Sequence, residues 1–318
     1  MEPARRAAFH HHGAKTPIRK RGPRIAVLIA VACAAAMLIG VVAAVIAAGL
    51  LLSAPDRSQI GPPPPQLAAA DAVTFASASG AVIRGWWLPG TPNQGVVLLL
   101  HGVHSDRRSM VRRAEVLHAR GFAVLLFDFQ AEGESSGDRI TFGAREALDA
   151  VAATDFVKRH APNERVGALG VSLGGASILL GPAPLPVQAV VLESVFPTIE
   201  AAIGNRLRTA LGPKLGPIAA PVLEPLFIWL LPPILQVRPD QLQPIAHIGQ
   251  MTAPLLLLSG ANDTRTPIDE AASLFARAPE PKEFHPIPGA DHVDLERHDP
   301  ALYWTIVLPF LERHLHHE

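Results

Sequence analysis

The stretch Gly170-Val171-Ser172-Leu173-Gly174-Gly175 sets one serine among small residues, directly after a short apolar run (165–169) and directly before a small-residue segment (173–180) closed by Gly181-Pro182. The run reads as a buried strand and the segment as a helix, so Ser172 falls on a sharp strand-to-helix turn. Such a turn strains the serine backbone, and only glycine-sized neighbours at 170 and 174 let the chain pass that close to itself. A hydroxyl is a poor nucleophile at neutral pH, so the turn does chemistry only beside a base and an acid that orients the base. Both occur downstream. Residues 253–260 form a continuous apolar strand running into Ala261-Asn262-Asp263, and 283–288 form another running into Gly289-Ala290-Asp291-His292. Asp263 and His292 thus each fall just past the C-terminal end of a strand, where open parallel sheets gather their reactive groups. Asp269 and Asp291 are the other acids within reach of this region, and His285, His298 and His104 are the other histidines; the position of His292 after Gly289-Ala290-Asp291 favours it as the base.

The chain order Ser172, Asp263, His292 is that of the α/β-hydrolase triad, distinct from the chymotrypsin and subtilisin orders. From about residue 71 to residue 315 the sequence resembles α/β-hydrolases of the group that includes serine-aminopeptidase-like and membrane-anchored serine hydrolases. Further matching positions are His101-Gly102 after the strand 96–100, Asp128 after the strand 123–127, and the loop Gly133-Glu134-Ser135-Ser136-Gly137. The resemblance implies an oxyanion hole made by the backbone N–H groups of Val103 and Leu173. The sequence departs from relatives after Asp128, where Phe129-Gln130-Ala131-Glu132-Gly133 replaces the usual Arg-Gly-His-Gly. His101-Gly102-Val103-His104 is also not the His-Gly-Gly-Gly of many lipases and esterases.

Composition agrees with one catalytic domain plus an appendage. Lys and Arg balance Asp and Glu at 28 each, which offers nothing to nucleic acid or an acidic polymer. Cys33 is the only cysteine, so neither an intramolecular disulfide nor a cysteine metal site is possible. His10–His12 and the histidines at 314, 316 and 317 read as solvated tails; no metal and no cofactor is expected. The appendage is an uncharged apolar run of 28 residues at 25–52, long enough to cross a hydrocarbon core of about 30 Å with some tilt. A cleaved signal peptide has a shorter apolar region, of about 7–15 residues, and Pro55 hinders cleavage after Ala54. Arg5, Arg6, Lys15, Arg19, Lys20, Arg21 and Arg24 precede the run, and Arg57 alone follows it closely. Residues 1–24 are therefore expected in the cytoplasm, 25–52 as a single transmembrane helix, 53–70 as a stiff proline-rich linker holding the catalytic domain off the bilayer, and 71–318 as an extracytoplasmic α/β-hydrolase domain.

The predicted architecture is a mostly parallel central sheet with helices on both faces, entered by an antiparallel hairpin (72–77 and 82–88). Helices are expected at 110–120, 142–160, 267–277 and 300–316. In the second, Leu148, Val151, Ala152 and Phe156 share the face toward the sheet. The third is expected to start with Thr266 as N-cap and Pro267 in its first turn. Residues 196–250 interrupt the alternation and are apolar and proline-broken, notably over 217–235, which marks an inserted cap. Its prolines and Glu224 argue against a second span, and a span there would put Asp263 and His292 across the membrane from Ser172. A lid over an acyl pocket is the expectation, with a dimer interface or plain packing as alternatives. The function expected is a membrane-anchored serine hydrolase acting on a small-molecule or lipid-like acyl substrate, an ester first, with peptidase, aminopeptidase or thioesterase chemistry on the same triad as alternatives. A catalytically silent anchored binding protein is the reading from a different class.

Overall fold

The computed structural model describes residues 22–292 and 294–317. The basic cluster ahead of residue 22 and His10–His12 lie outside the described residues. The chain divides into two units at Ala44/Val45. Within the first, the described residues belong to one helix, α1 (Gly22–Leu52), whose stretch Ile25–Leu52 is long and apolar enough to cross a membrane.

The second unit is built on eight strands: β1 (Asp71–Ala76), β2 (Val82–Leu88), β3 (Val96–Leu100), β4 (Ala123–Phe127), β5 (Val166–Val171), β6 (Ala189–Glu193), β7 (Leu255–Gly260) and β8 (Lys282–Ile287). They pair in the order β8-β7-β6-β5-β3-β4-β2-β1; β1 and β2 run antiparallel to their neighbours, and the other six are parallel. The parallel strands read as unbroken Val/Leu runs because helices cover both faces. Successive side chains alternate between two cores: Val96, Leu98 and Leu100 face one, Val97 and Leu99 the other. The first core is closed by α3 (Glu146–His160) and α4 (Leu173–Leu179), the second by α2 (Val111–Ala119) and α7 (Pro300–Leu315), and α6 (Ile268–Arg277) packs beside β7 and β8.

Several expectations shift. α3 starts at Glu146 rather than 142, because Phe142 and Gly143 both adopt positive φ (53° and 113°). The Glu146 carboxylate then gathers the N–H groups of Thr141 and Gly143 and the Thr141 hydroxyl. The face of α3 turned to the sheet carries Ala147, Ala150, Ala153 and Val157 with Phe156, while Leu148, Val151 and Ala152 are only half-buried. Small residues let the helix approach closely enough for the buried Asp149 to reach Ser79 and the Gln130 N–H. Residues 53–70 are not a free spacer. Asp56 and Arg57 pair in parallel with Glu132 and Gly133, the N–H groups of Ile60 and Gly61 both bond the Glu134 carboxylate at 3.0 Å, and Leu67 is fully buried. The compact unit accordingly begins at Val45, inside the last turns of α1, and not at 71.

The insertion forms α5 (Ile199–Leu235), which is two helices rather than one. Gly212 (φ 74°, ψ 177°) breaks it into segments 199–211 and 213–235 that fold back on each other. Gly204 lies against the Glu224 carboxylate, where an added Cβ would come within 2.6 Å of it, and a Cβ on Gly216 would come within 2.5 Å of Arg208 O. In one straight helix positions 204 and 224 would be about 30 Å apart. The break is at the glycine and not at the prolines. Pro217, Pro221 and Pro225 recur every four residues on the exposed side, so the missing N–H bonds line up on the outward face and the buried face keeps its own. Leu215, Ile218, Val222 and Trp229 are exposed on the same segment.

Candidate active site

Ser172 stands between the end of β5 and the start of α4 with φ 50° and ψ −107°, a conformation that costs a non-glycine residue on the order of 1–3 kcal/mol. The surrounding chain over-determines it. Ser172 N–H donates to Glu193 O on β6 at 2.8 Å, and Ser172 O accepts from Ala176 N at 2.9 Å. A Cβ on Gly174 would lie 2.2 Å from Leu100 O, and one on Gly170 would lie 2.5 Å from the Gly174 carbonyl carbon, so both glycines are obligatory for the elbow to touch β3 and itself.

The turn points the hydroxyl at the loop after β8. Ser172 Oγ is 3.3 Å from His292 Nε2, and His292 Nδ1 is 2.9 and 3.2 Å from the two Asp263 oxygens. The carboxylate can only accept, so Nδ1 carries the proton and Nε2 presents its lone pair to the serine. Asp263 also accepts from Arg265 N, Thr266 N and the Thr266 hydroxyl. Burial alone would raise this carboxyl, but the hydrogen bonds from His292 and Thr266 outweigh it and hold it below the usual carboxylate range. Thr266 is therefore spent on the acid and does not cap α6, whose N-cap is Pro267. The competing residues lie elsewhere. Asp291 accepts from the His292 backbone, Asp269 sits in the first turn of α6, His285 is beside Glu283, His298 bonds Pro288 O, and His104 bonds Leu52 O near Asp56.

Val103 follows β3 and borders the same cavity as Ser172. Leu173 opens α4, so its N–H has no partner one turn back and lies at the positive end of the helix. His101 braces this corner. Its Nε2 accepts from Phe129 N at 3.1 Å, which leaves the proton on Nδ1 to donate to Gly102 O at 2.8 Å. Full burial pushes its pKa down against that hydrogen bond, so the ring stays neutral. Asp128 ties the β4 end to the preceding loop through the Arg107 N–H and guanidinium and the Glu134 N–H.

The cavity in front of Ser172 has a volume of about 690 Å³, within the usual range for ligand sites of roughly 300–1,000 Å³. Its walls are mostly apolar and come from three places: the last turn of α1 (Gly49, Leu52), the α5 hairpin (Ile203, Phe227, Leu231, Ile234) and the rim of the sheet. Three residues that sequence reading passed over complete it. Arg113 is held by Glu193 at 2.8 Å, Asp294 at 3.2 Å and the Tyr303 hydroxyl at 3.2 Å. Arg206 and Arg265 are the other two. Arginines on a helix and in a loop carry no spacing signal, so only the fold could bring them to the serine.

The overall fold agrees with the comparisons to known proteins. Residues 91–243 match the family model described as serine aminopeptidase, S33. The esterase Pf2001 of Pyrococcus furiosus superposes with a TM-score of 0.68 at 24% identity, covering 83% of this chain and 98% of that one. The chain has the α/β-hydrolase fold. Among curated sequences, the chain is 28% identical over 260 residues to YfhR of Salmonella typhi, covering 76% of this chain and 79% of YfhR. It is likewise 28% identical over 243 residues to Rv2307c of Mycobacterium tuberculosis, covering 75% and 78%.

Proposed function

We propose that this α/β-hydrolase is a membrane-anchored serine hydrolase that cleaves a carboxylic ester, or a related acyl bond, of a lipid-like substrate. The observation that carries the reading is the unbroken relay from the Asp263 oxygens to His292 to Ser172 Oγ, at 2.9 and 3.3 Å, opening on a largely apolar cavity. In the mechanism His292 Nε2 takes the Ser172 proton as Oγ attacks the acyl carbonyl. Asp263 keeps the ring in the productive tautomer and offsets the imidazolium charge. The N–H groups of Val103 and Leu173 receive the oxyanion, and His292 passes its proton to the departing alcohol. Water then resolves the acyl-enzyme with His292 again as base.

Cavity electrostatics favour an ester over an aminopeptidase substrate. Recognition of a substrate ammonium requires a free carboxylate, and Asp294, the acidic residue that borders the cavity, is paired with Arg113 at 3.2 Å. The anchor is assigned to α1: its 28 apolar residues extend about 42 Å, more than the roughly 30 Å of a hydrocarbon core. Seven basic residues ahead of it against Arg57 after it put the N-terminus in the cytoplasm and the catalytic unit on the far side. The test is turnover by the full chain in detergent of p-nitrophenyl esters of increasing acyl length beside aminoacyl p-nitroanilides. Ester cleavage that improves with chain length is expected; preferential cleavage of the anilides would replace the esterase by a peptidase.

A further inference from the structure

Three arginines border the cavity that Ser172 opens into, and only one of them is neutralised. Arg113 is matched by Glu193 and Asp294. Arg206 and Arg265 have no carboxylate within ion-pair distance among the described residues. Arg206 projects from the first helix of the α5 hairpin and spends one N–H on Ala202 O, one turn back on its own helix, at 3.1 Å. The Arg265 side chain makes no hydrogen bond among the described residues, while its backbone N–H is fastened to Asp263 Oδ1 at 2.8 Å, so the residue is anchored to the triad acid.

The nearest acids form no ion pair with either arginine among the described residues: Asp263 is taken by His292 and Thr266, and Glu270 accepts from Asn205 at 2.7 Å through one oxygen while the other has no partner. Burial and, after it, the neighbouring positive charge of Arg265 push the Arg206 pKa down, and the charges of Asp263 and Glu270 offset this only in part. Arg206 is a half-buried charge beside an apolar cavity with no ion-pair partner among the described residues, a cost that an arriving anion offsets, and the exposed Arg265 adds a second cation at the same wall. A guanidinium offers five N–H donors in a planar fork, and one fork suffices for the two oxygens of a carboxylate; two forks match the larger oxygen set and charge of a phosphate.

We propose that Arg206 and Arg265 form a phosphate subsite of this cavity, and that the substrate is a phosphate-bearing, single-chain acyl ester such as a lysophospholipid. The assignment rests on the serine-hydrolase reading and specifies it. The acyl chain occupies the apolar wall made by Ile203, Phe227, Leu231 and Ile234, its ester carbonyl meets Ser172, and the phosphate on the alcohol side meets the two guanidinium groups. Gly49 and Leu52, in the last turn of α1, add an apolar side to the cavity beside that wall.

The experiment uses the full chain in detergent micelles and compares 1-acyl-glycerol 3-phosphate with 1-monoacylglycerol of the same chain length. Wild type is expected to favour the phosphate-bearing ester by about ten-fold or more in kcat/KM, mainly through KM. In Arg206→Gln and Arg265→Gln that ratio should fall toward one, and in Arg206→Lys, which keeps the charge without the fork, it should fall part-way. Fluorophosphonate labelling of each variant reports a folded, competent serine independently of the subsite. Arg265 is exposed, so its replacement keeps the test open if the Arg206 variants fold poorly. Equal kcat/KM for the two esters in a wild-type enzyme that labels and turns over would overturn the subsite while leaving the hydrolase standing. Absence of labelling would overturn the hydrolase itself. Inorganic phosphate and glycerol 3-phosphate are expected to compete only weakly, because the acyl chain supplies most of the affinity. Competition by them as strong as that by the lysolipid would make the ligand a soluble phosphate and overturn the lipid assignment.

Discussion

Glu132 lies in the loop that replaces the usual Arg-Gly-His-Gly, and it predicts how stability depends on pH. Its carboxyl is fully buried, one oxygen accepts weakly from Ser105 N at 3.4 Å, and the other has no partner among the described residues. Burial, reinforced by the nearby Glu146 charge, pushes its pKa from 4.5 up to about 9. The folded value is above the unfolded one, so below pH 4.5 both states hold the proton and the group is neutral to stability. Between pH 4.5 and 9 the unfolded chain releases the proton while the folded chain keeps it, and stability falls as pH rises. At about 1.4 kcal/mol per pH unit, the interval from 4.5 to 7 costs on the order of 3 kcal/mol. Glu132→Gln removes the ionisation and keeps the shape. Urea or thermal unfolding of wild type and variant at pH 5 and pH 8 should give nearly equal stabilities at pH 5 and a variant several kcal/mol more stable at pH 8. Curves that keep the same separation at both pH values would refute a protonated buried Glu132.

Phe227 lines the cavity whereas Trp229, two residues on, is 72% exposed and does not. Phe227→Asp should therefore raise KM for medium-chain p-nitrophenyl esters by about 10–100-fold but only slightly for the acetate, while Trp229→Asp leaves that ratio near the wild-type value; steady-state kinetics across chain lengths checks both. Gly174→Ala should destabilise by about 3 kcal/mol or more in a thermal melt, because all three nearest atoms, Leu100 O, Leu100 C and His101 O, are backbone that cannot swing aside. An alkaline phosphatase fusion after Glu318 should be active in cells, and a silent fusion despite good expression would reverse the orientation assigned to the anchor.

What the sequence made legible was whatever depends on local pattern. The glycines around Ser172, the apolar runs of β3 to β7 and the placement of Asp263 and His292 after strand ends all carry periodic or turn signals, and the geometry follows them. Contacts made by backbone or by isolated side chains left no such trace. The pairing of Asp56 and Arg57 with Glu132 and Gly133 uses only main-chain groups, so a proline-rich stretch that reads as a free linker lies on the domain. Thr266 has the identity of an N-cap but its hydroxyl is drawn to Asp263, a competition that only tertiary structure decides. Over 213–235 the prolines suggest a broken helix, yet Pro217, Pro221 and Pro225 recur every four residues, which puts their lost bonds on one outward face, and Gly212 makes the turn instead.

The most direct test of the account is covalent. Wild-type full chain treated with a fluorophosphonate should gain one adduct, mapped by peptide mass spectrometry to Ser172. Ser172→Ala, whose alanine meets the same backbone strain and should melt like wild type, should gain none and lose on the order of 10⁴-fold or more in kcat on p-nitrophenyl esters. An adduct mapped to another residue, or undiminished ester hydrolysis by folded Ser172→Ala protein, would contradict the serine mechanism.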